Sequence, residues 1–404
     1  MRKLRGSSTA TVGLILTHTA LASATLEPPA VSDARNAALG GTGVAYTDNA
    51  AAVYHNPAGL TGVGQGAVTL SISPFMPQLE APIGGTQEKS TRSFFPMFLG
   101  GGAYRLTDDL VLGLAVYPVM GFGGEYPDLE IFGGEELELS AATFEASPSL
   151  AYSITDAVSI GVGYRITYMM QDVHQVTPAM GPGGTPVFVA SDLSLSGMNF
   201  LGAHLGVLAR VTDTTRVGFT YRNKVTVDLE GDFESGGMKL DASSEFSAPH
   251  SFKLGLAQDL LDEQLMLAFE LKYALYSESS ESTVTTIDGL GTSEIPLEWK
   301  NSLSAALGVE YRLGPEGPDF RLGYCMTQSA TSEDYPQPFM PPPGLLHSVH
   351  LGAGMQFSQL ELDVGGFYVR SKATDLEPAA DAVAEPGDYA MDGYIAALSA
   401  TYRL

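Results

Sequence analysis

Residues 158–168, Val-Ser-Ile-Gly-Val-Gly-Tyr-Arg-Ile-Thr-Tyr, place an apolar side chain at every second position. Successive side chains of a β-strand point to opposite faces, so one face of this strand is apolar throughout. Residues 217–227 and 265–275 largely repeat the pattern. Each stretch is long enough to cross a bilayer as a tilted strand, which needs roughly 9–11 residues. The alternation predicts a transmembrane β-barrel with a lipid face and a lumen.

Fourteen such segments follow one another along the chain, and bacterial barrels have an even number of strands. They are 66–74, 94–106, 110–118, 142–154, 158–171, 196–211, 215–230, 245–258, 264–277, 296–313, 319–328, 345–358, 360–372 and 389–404. Tight turns alternate with long loops rich in Gly, Pro and acids. Because short turns face the periplasm in such barrels, we expect an all-β antiparallel barrel over 66–404 with both ends in the periplasm.

Three Tyr-Arg pairs stand near predicted periplasmic strand ends: Tyr104-Arg105, Tyr311-Arg312 and Tyr402-Arg403. Tyrosines are enriched where a membrane protein meets the lipid headgroups. The alternation places the tyrosines on the lipid face and the arginines in the lumen.

The first residues have the features of a secretory signal. Arg2, Lys3 and Arg5 precede a short apolar stretch, and Ala22-Ser23-Ala24 forms a small-x-small cleavage site. A retained helical anchor is the alternative, but the apolar stretch is short beside the roughly 20 residues that a spanning helix needs. We expect residues 1–24 to be removed and the mature chain to begin near Thr25.

Charge, cysteine content and motifs exclude several classes of function. The net charge of −25 argues against nucleic acid as a partner, and the single Cys325 excludes an internal disulfide. The chain lacks a G-x-S-x-G elbow, an H-E-x-x-H motif and a phosphate-binding glycine loop. His347 and His350 are three apart on a predicted strand, hence on opposite faces. We therefore predict no enzymatic activity, no cofactor and no metal site.

Residues 25–65 do not alternate with period two. Ser32 or Asp33 can cap a helix that runs through Leu39, and Asp48 can cap a second, from Asn49 to His55. Two short alanine-rich helices are stable only against a larger surface. We therefore predict that this segment forms a hatch that plugs the barrel lumen.

Parts of the chain resemble the outer-membrane long-chain fatty-acid transporter family. The stretches 37–45 and 51–60, with the Asn56-Pro57-Ala58 element, resemble the family's amino-terminal hatch. Further similar pieces are Leu112-Gly113-Leu114, Tyr117-Pro118, Gly121, Glu125-Tyr126, Thr215-Arg216-Val217-Gly218, Tyr221-Arg222-Asn223-Lys224-Val225, Leu297-Glu298-Trp299-Lys300 and Gly308-Val309-Glu310-Tyr311-Arg312. The resemblance covers nearly the whole mature chain.

The resemblance implies passive transport of a hydrophobic molecule. The ligand would land among the outer loops, enter a lumenal pocket beneath the hatch and leave sideways beside a kinked third strand. Asn56, Pro57 and Ala58 would form the hinge of the hatch; a helix stop that only anchors the plug is the alternative. Pro118 and Gly121 would make the kink, against an ordinary strand end.

Two groups of residues are candidates for ligand contact. Apolar clusters near the first loop and in the loop after strand three suggest a binding surface, although packing among loops would also explain them: Phe75, Met76, Phe122, Leu129, Ile131 and Phe132. Lumenal cations suit a carboxylate head: Arg165, Arg216, Arg222, Lys224, Lys253 and Lys272. A salt network with the predicted lumenal acids Asp228, Glu230, Glu270 and Glu310 is the alternative.

Several functions remain open at this point. Long-chain fatty acids are the leading ligand class, and aromatic hydrocarbons, which the same family also carries, are the nearest rival. The head group distinguishes the two ligand classes, because a fatty acid needs a cation near its pocket and a hydrocarbon does not. A barrel that binds partner proteins through its loops and an open polar porin are the other classes. We expect a monomer surrounded by outer-membrane lipid and lipopolysaccharide.

Overall fold

The computed structural model describes residues 33–180, 186–279, 281–314 and 317–404. The predicted signal peptide and the first residues of the predicted hatch lie outside them. The α-helices are α1 (Ala34–Ala38) and α2 (Ala52–His55), and 3-10 turns occupy Pro57–Gly62, Glu130–Phe132 and Tyr276–Glu278. No helix in the described ranges combines the length and apolar character needed to cross a membrane.

Strands make up most of the remaining chain. They are β1 (Gly66–Ile72), β2 (Phe75–Ile83), β3 (Thr86–Lys89), β4 (Phe98–Arg105), β5 (Leu110–Leu129), β6 (Glu135–Thr155), β7 (Val158–Met180), β8 (Pro186–Arg210), β9 (Thr215–Arg222), β10 (Val225–Ser235), β11 (Met238–Ala248), β12 (Ser251–Leu260), β13 (Leu265–Ala274), β14 (Ser282–Ile287), β15 (Gly291–Pro296), β16 (Ser302–Arg312), β17 (Asp319–Gln328), β18 (Leu345–Phe357), β19 (Leu360–Leu376) and β20 (Gly387–Arg403).

The strands close into a barrel because β1 pairs antiparallel with both β20 and β4. The ring has 14 strands, in the order β1-β4-β5-β6-β7-β8-β9-β12-β13-β16-β17-β18-β19-β20. The predicted antiparallel barrel is therefore confirmed. Strands β2, β3, β10, β11, β14 and β15 extend the wall at the end with the long loops, called the loop end below. The opposite end, with the short turns, is the turn end.

The two faces of the wall follow the predicted alternation. Ile160, Val162 and Tyr164 are exposed on the outside, whereas Arg165 and Thr167 are buried inside. Tyr104, Tyr311 and Tyr402 are also exposed, at 50%, 42% and 45% of their surface, in keeping with a tyrosine girdle at the turn end.

The predicted continuous strand 215–230 is wrong. Asn223 interrupts it, because its side chain accepts a hydrogen bond from the Ala203 amide (2.6 Å) and donates one to the Leu201 carbonyl (3.1 Å). The alternation changes phase across the break, so Val225 and Val227 turn inward. Asp228 and Glu230, predicted as lumenal acids, are exposed instead.

Other strand bounds also differ from the prediction. The segment 245–258 breaks at Pro249, since proline has no amide hydrogen for the ladder. Strand β5 continues to Leu129 instead of ending near residue 118, and the hairpin of β14 and β15 was not predicted. The hairpin is rich in Ser and Thr, and the extension of β5 is rich in Gly, so both lack the apolar alternation that marks a lipid-facing strand.

The N-terminal segment, residues 33–65, packs inside the ring. Asp33 caps α1 as predicted, accepting from the Asn36 amide at 2.8 Å. The predicted cap at Asp48 is wrong. Helix α2 begins only at Ala52, and the Asp48 carboxylate instead accepts from Arg403 of β20 at 3.1 Å.

Lumenal glycines make room for this segment. A β-carbon on Gly206 would lie 2.0 Å from Asn56 Oδ1, one on Gly161 would lie 2.3 Å from the Ala58 nitrogen, and one on Gly323 would lie 2.2 Å from the Gly40 nitrogen. Equally close contacts occur at Gly218 and Gly352. Much of the glycine in this chain thus serves close approach between the wall and the N-terminal segment.

We expect Gly206→Ala to destabilise the folded barrel by about 1–3 kcal/mol, the usual cost of overpacking. The new methyl group must displace Asn56 or the strand itself. Urea unfolding in detergent measures the change. Gly102→Ala is the matched control, because its β-carbon would meet no atom closer than 3.7 Å. Equal stability of the two variants would contradict the packing described here.

Candidate functional site

The lumen changes from apolar to polar along its axis. On β6 the inward residues Leu137, Leu139 and Ala141 lie toward the loop end, and Thr143, Glu145, Ser147 and Ser149 follow toward the turn end. The loop-end half holds a large apolar cluster that also includes Val173 and Leu195 from β7 and β8. An amphipathic molecule therefore finds apolar walls nearer the loop end and polar walls deeper inside.

Arg165 and Arg222, two of the cations predicted to bind a ligand carboxylate, belong to a salt network inside the barrel. Arg165 donates to Glu145 Oε1 at 2.8 and 2.6 Å, and Arg222 donates to Oε2 of the same carboxylate. The Tyr117 hydroxyl donates to Oε2 as well, at 3.2 Å. Glu145 is buried, so this carboxylate is the counter-ion of both arginines.

Two further predicted cations are held near strand ends. Arg216 donates to Asp259 Oδ2 at 2.6 Å. Lys224 donates to the Glu278 carbonyl at 2.8 Å. Both contacts join neighbouring parts of the wall.

The last two predicted cations, Lys253 and Lys272, face a lumenal cavity of about 60 Å³. It is lined by Gly40, Gly41, Tyr54, Lys253, Glu270, Lys272, Ala274, Tyr276, Ser302, Ser304, Ala306, Cys325 and Thr327. The lumenal position predicted for Cys325 is confirmed. The cavity admits a head group only, since pockets for small ligands measure roughly 300–1,000 Å³.

The two lysines are directly opposite each other on β12 and β13. Like charges in this position repel each other, so an anionic group beside them is stabilising, and the Glu270 carboxylate lines the same cavity. Tyr54 of the N-terminal segment adds its ring face, 4.8 Å from Lys253 Nζ. Burial, with the charges of Lys253 and Arg222, holds the pKa of the adjacent His55 well below its usual range, so its imidazole is neutral. This side of the lumen is suited to an anionic group.

Asn56 joins the N-terminal segment to the wall. Its Nδ2 donates to the Val44 carbonyl at 2.8 Å and to the Val207 carbonyl of β8 at 3.0 Å. Its Oδ1 accepts from the Ala58 amide at 3.1 Å, which caps the turn beginning at Pro57. The Asn56-Pro57-Ala58 element therefore stands at a junction between α2, the Val44 backbone and the barrel.

The wall has a weakly bonded seam beside the third strand of the ring. The ladder between β4 and β5 ends at the pair Gly100 and Val116. Beyond it, residues 90–97 bond instead to β2, with the Ser90 amide donating to Leu79 at 2.8 Å. The Thr91 amide donates to the Glu125 carbonyl at 2.7 Å, joining the segment to β5 near the loop end. We call the boundary between residues 90–97 and residues 117–125 of β5 the seam.

The third strand is irregular along this seam. Its ladder with β6 shifts register between Pro118 and Met120, and Gly123 adopts a φ of 134°. A β-carbon on Gly123 would lie 1.9 Å from the Leu139 oxygen, so only glycine fits there. The Phe95 ring covers the seam, 3.6 Å from a β-carbon built on Gly121.

The predicted apolar contact residues separate into two groups. Phe75, Phe122 and Leu129 are buried in the apolar cluster, and Phe132 packs against it. Phe122 and Leu129 lie in β5 rather than in a loop. Met76 is half-buried and Ile131 is 49% exposed.

A loop that the sequence analysis missed covers the mouth of the lumen. Residues 329–344 contain little regular structure, yet Phe339 and Met340 are buried in the apolar cluster. Tyr126 donates to the Pro338 carbonyl at 2.6 Å, and its ring meets Phe339 edge-on. A Phe-Met pair flanked by prolines in a long loop was the available signal.

Solved structures of known proteins share this architecture. A Pseudomonas aeruginosa FadL homologue aligns with a TM-score of 0.77 at 18% identity, covering 96% of this chain and all of that one (100%). The Pseudomonas putida toluene transporter TodX aligns with a TM-score of 0.75 at 19% identity, covering 92% of this chain and 98% of that one.

Curated relatives are similar in sequence over part of their length. Outer membrane protein P1 of Haemophilus influenzae is 24% identical over 303 residues, 66% of this chain and 64% of that protein. The long-chain fatty acid transport protein of Salmonella typhi is 22% identical over 236 residues, 51% and 54% of the two chains. The model of the outer membrane protein transport protein family (OMPP1/FadL/TodX) matches residues 13–404, and the chain belongs to this family of Gram-negative outer-membrane β-barrels.

Proposed function

We propose that this barrel carries long-chain fatty acids passively across the outer membrane. The pair of lysines in the lumenal cavity, Lys253 and Lys272, carries the proposal. A carboxylate gains charge-assisted hydrogen bonds from two ammonium groups, whereas a hydrocarbon has no acceptor to offer them. The apolar loop-end half would receive the tail, which otherwise loses roughly 0.8 kcal/mol per methylene exposed to water. The similarity to a long-chain fatty acid transport protein supports the same ligand class.

The geometry supports a route with three barriers. A ligand entering from the loop end displaces Phe339 and Met340, because these side chains fill the apolar mouth. Its head then reaches the lysines. The N-terminal segment acts as a hatch that shifts about Asn56-Pro57-Ala58, and the ligand leaves through the seam, where Phe95 moves aside.

Aromatic hydrocarbons are the second candidate, favoured by one observation. The apolar loop-end half presents aromatic rings from Phe122, Tyr126 and Phe339, which suit a flat apolar ligand. The structural likeness to toluene transporters points the same way.

The double variant Lys253→Met with Lys272→Met should bind oleate about tenfold more weakly, or weaker still. Its binding of methyl oleate should change little. Hydrogen bonds to charged groups contribute roughly 1.5–3 kcal/mol, and methionine keeps the chain length of the side chain. Uptake by cells lacking their own fatty-acid transporter, and binding to the purified barrel, measure both ligands.

The exposed hairpin residue Lys239 offers the matched control, Lys239→Met, which should bind oleate as the wild type does. If the double variant loses as much affinity for methyl oleate as for oleate, the lysines do not recognise the head group. Toluene uptake without oleate uptake would assign the barrel to hydrocarbons, and uptake of neither would favour a barrel that binds partner proteins.

A further inference from the structure

One carboxylate, Glu270, lies between the cavity and the N-terminal segment. It is buried on the inner face of β13, two residues from Lys272 and therefore on the same face. It lines the cavity together with both lysines. Its Oε2 also accepts from the Gly43 amide at 2.9 Å and from the Val44 amide at 3.0 Å. The side chain that binds the N-terminal segment thus also belongs to the wall of the cavity.

A single residue connects this carboxylate to the hinge element. The Val44 amide donates to Glu270, and the Val44 carbonyl accepts from Asn56 Nδ2 at 2.8 Å. The Val44 backbone packs closely against the wall, because a β-carbon built on Gly218 would lie only 2.2 Å from the Val44 carbonyl oxygen. A shift of Val44 therefore disturbs both hydrogen bonds together.

We propose that Glu270 is a positioning residue that makes the movement of the hatch depend on the charge of the ligand. The inference rests on the proposed function, since it needs an acid head group at Lys253 and Lys272. A carboxylate there places a second negative charge beside the buried Glu270, and like charges repel more strongly in a protein interior than in water. The repulsion drives Glu270 away from the cavity and against the Gly43 and Val44 backbone. The resulting shift of Val44 breaks its hydrogen bonds, including the one that its carbonyl accepts from Asn56. An uncharged ligand leaves these bonds in place.

Glu270→Gln tests the coupling because glutamine keeps an oxygen that accepts from Gly43 and Val44 but carries no charge. With oleate, we expect the half-saturating concentration and the maximal uptake rate each to fall about fivefold, the lower end of usual coupling between sites. The acid binds more tightly without the repulsion, yet no longer loosens the hatch. With methyl oleate, both parameters should stay at the wild-type values.

Asn56→Ala supplies a second readout. Glu270→Gln and Asn56→Ala each lower the maximal rate of oleate uptake by some factor. If Val44 transmits the effect, the double variant should lose less than the product of the two factors, because both residues act on one chain of contacts. Full additivity would overturn the chain from Glu270 to Asn56. Heat-modifiable migration in gels verifies that each variant forms the folded barrel.

Glu310→Gln is the matched control, since Glu310 also holds the N-terminal segment, through Arg35, but does not line the cavity. It should alter oleate and methyl oleate uptake in the same ratio. If Glu270→Gln does the same, Glu270 is an anchor only and the coupling is overturned, while the lysines keep their role. If the wild type itself treats acid and ester alike, the lysines do not recognise the head group and the coupling fails with them. The proposed function fails only if the wild type does not take up oleate.

Discussion

A disulfide across the seam is expected to abolish uptake of oleate and of methyl oleate alike. The positions are Thr91→Cys and Glu125→Cys, in a Cys325→Ser background. The Thr91 amide already bonds the Glu125 carbonyl at 2.7 Å, and the Thr91 hydroxyl donates to the Glu125 carboxylate at 3.3 Å. The two side chains therefore lie on the same side of the seam, as a disulfide requires. A closed seam blocks sideways exit whatever the head group of the ligand. Uptake is compared before oxidation, after oxidation and after reduction, which should restore it.

The control disulfide joins Thr69→Cys and Thr401→Cys, whose side chains meet at 3.0 Å across the continuous ladder of β1 and β20. It should leave uptake unchanged, because no opening is proposed there. Undiminished uptake through an oxidised seam would refute lateral release and would place the route past the N-terminal segment at the turn end.

Glu310→Ala should destabilise the barrel by roughly 3–5 kcal/mol, because removing one partner of a buried ion pair leaves uncompensated charge. Glu310 is fully buried and accepts from three arginines: Arg35 at 2.9 and 2.8 Å, Arg312 at 3.0 and 2.8 Å, and Arg321 at 2.7 Å. Without it, the three cations repel one another. Urea unfolding of the barrel in lipid vesicles measures the loss.

The exposed pair of Lys89 and Glu80 serves as the reference for this measurement. Glu80→Ala should change stability by less than about 1 kcal/mol, as is usual for surface ion pairs. A Glu310→Ala variant as stable as Glu80→Ala would show that solvent reaches the arginines and that the cluster does not hold the N-terminal segment.

Arg105, Arg312 and Arg403 were predicted to point into the lumen, and they make contacts there that the sequence did not reveal. Arg105 donates to the Thr61 and Gly64 carbonyls at 2.7 and 2.9 Å, and Arg403 binds Asp48. The alternation along a strand predicts on which face a side chain lies. It does not predict which residue of a distant segment that side chain contacts. These contacts are made across separations of more than 40 residues.

The sequence by itself determined the barrel, its membrane and the two faces of the strands with strict apolar alternation. A bilayer demands an apolar side chain at every second position, and this requirement is local, so residues such as Ile160 and Val162 carry it without their neighbours. The strand breaks at Asn223 and Pro249 escaped prediction, because they lie where the wall leaves the strict lipid pattern.

Only the tertiary structure decided which lumenal charges pair with one another. Arg165 and Lys253 look alike in the sequence, since both are inward cations on alternating strands. The fold brings Glu145 to Arg165, and it places Lys253 at a cavity that Glu270 also lines. It also places the Val44 backbone between Glu270 and Asn56. Such contacts depend on how a ring of strands closes around the N-terminal segment, and closure is a property of the whole chain.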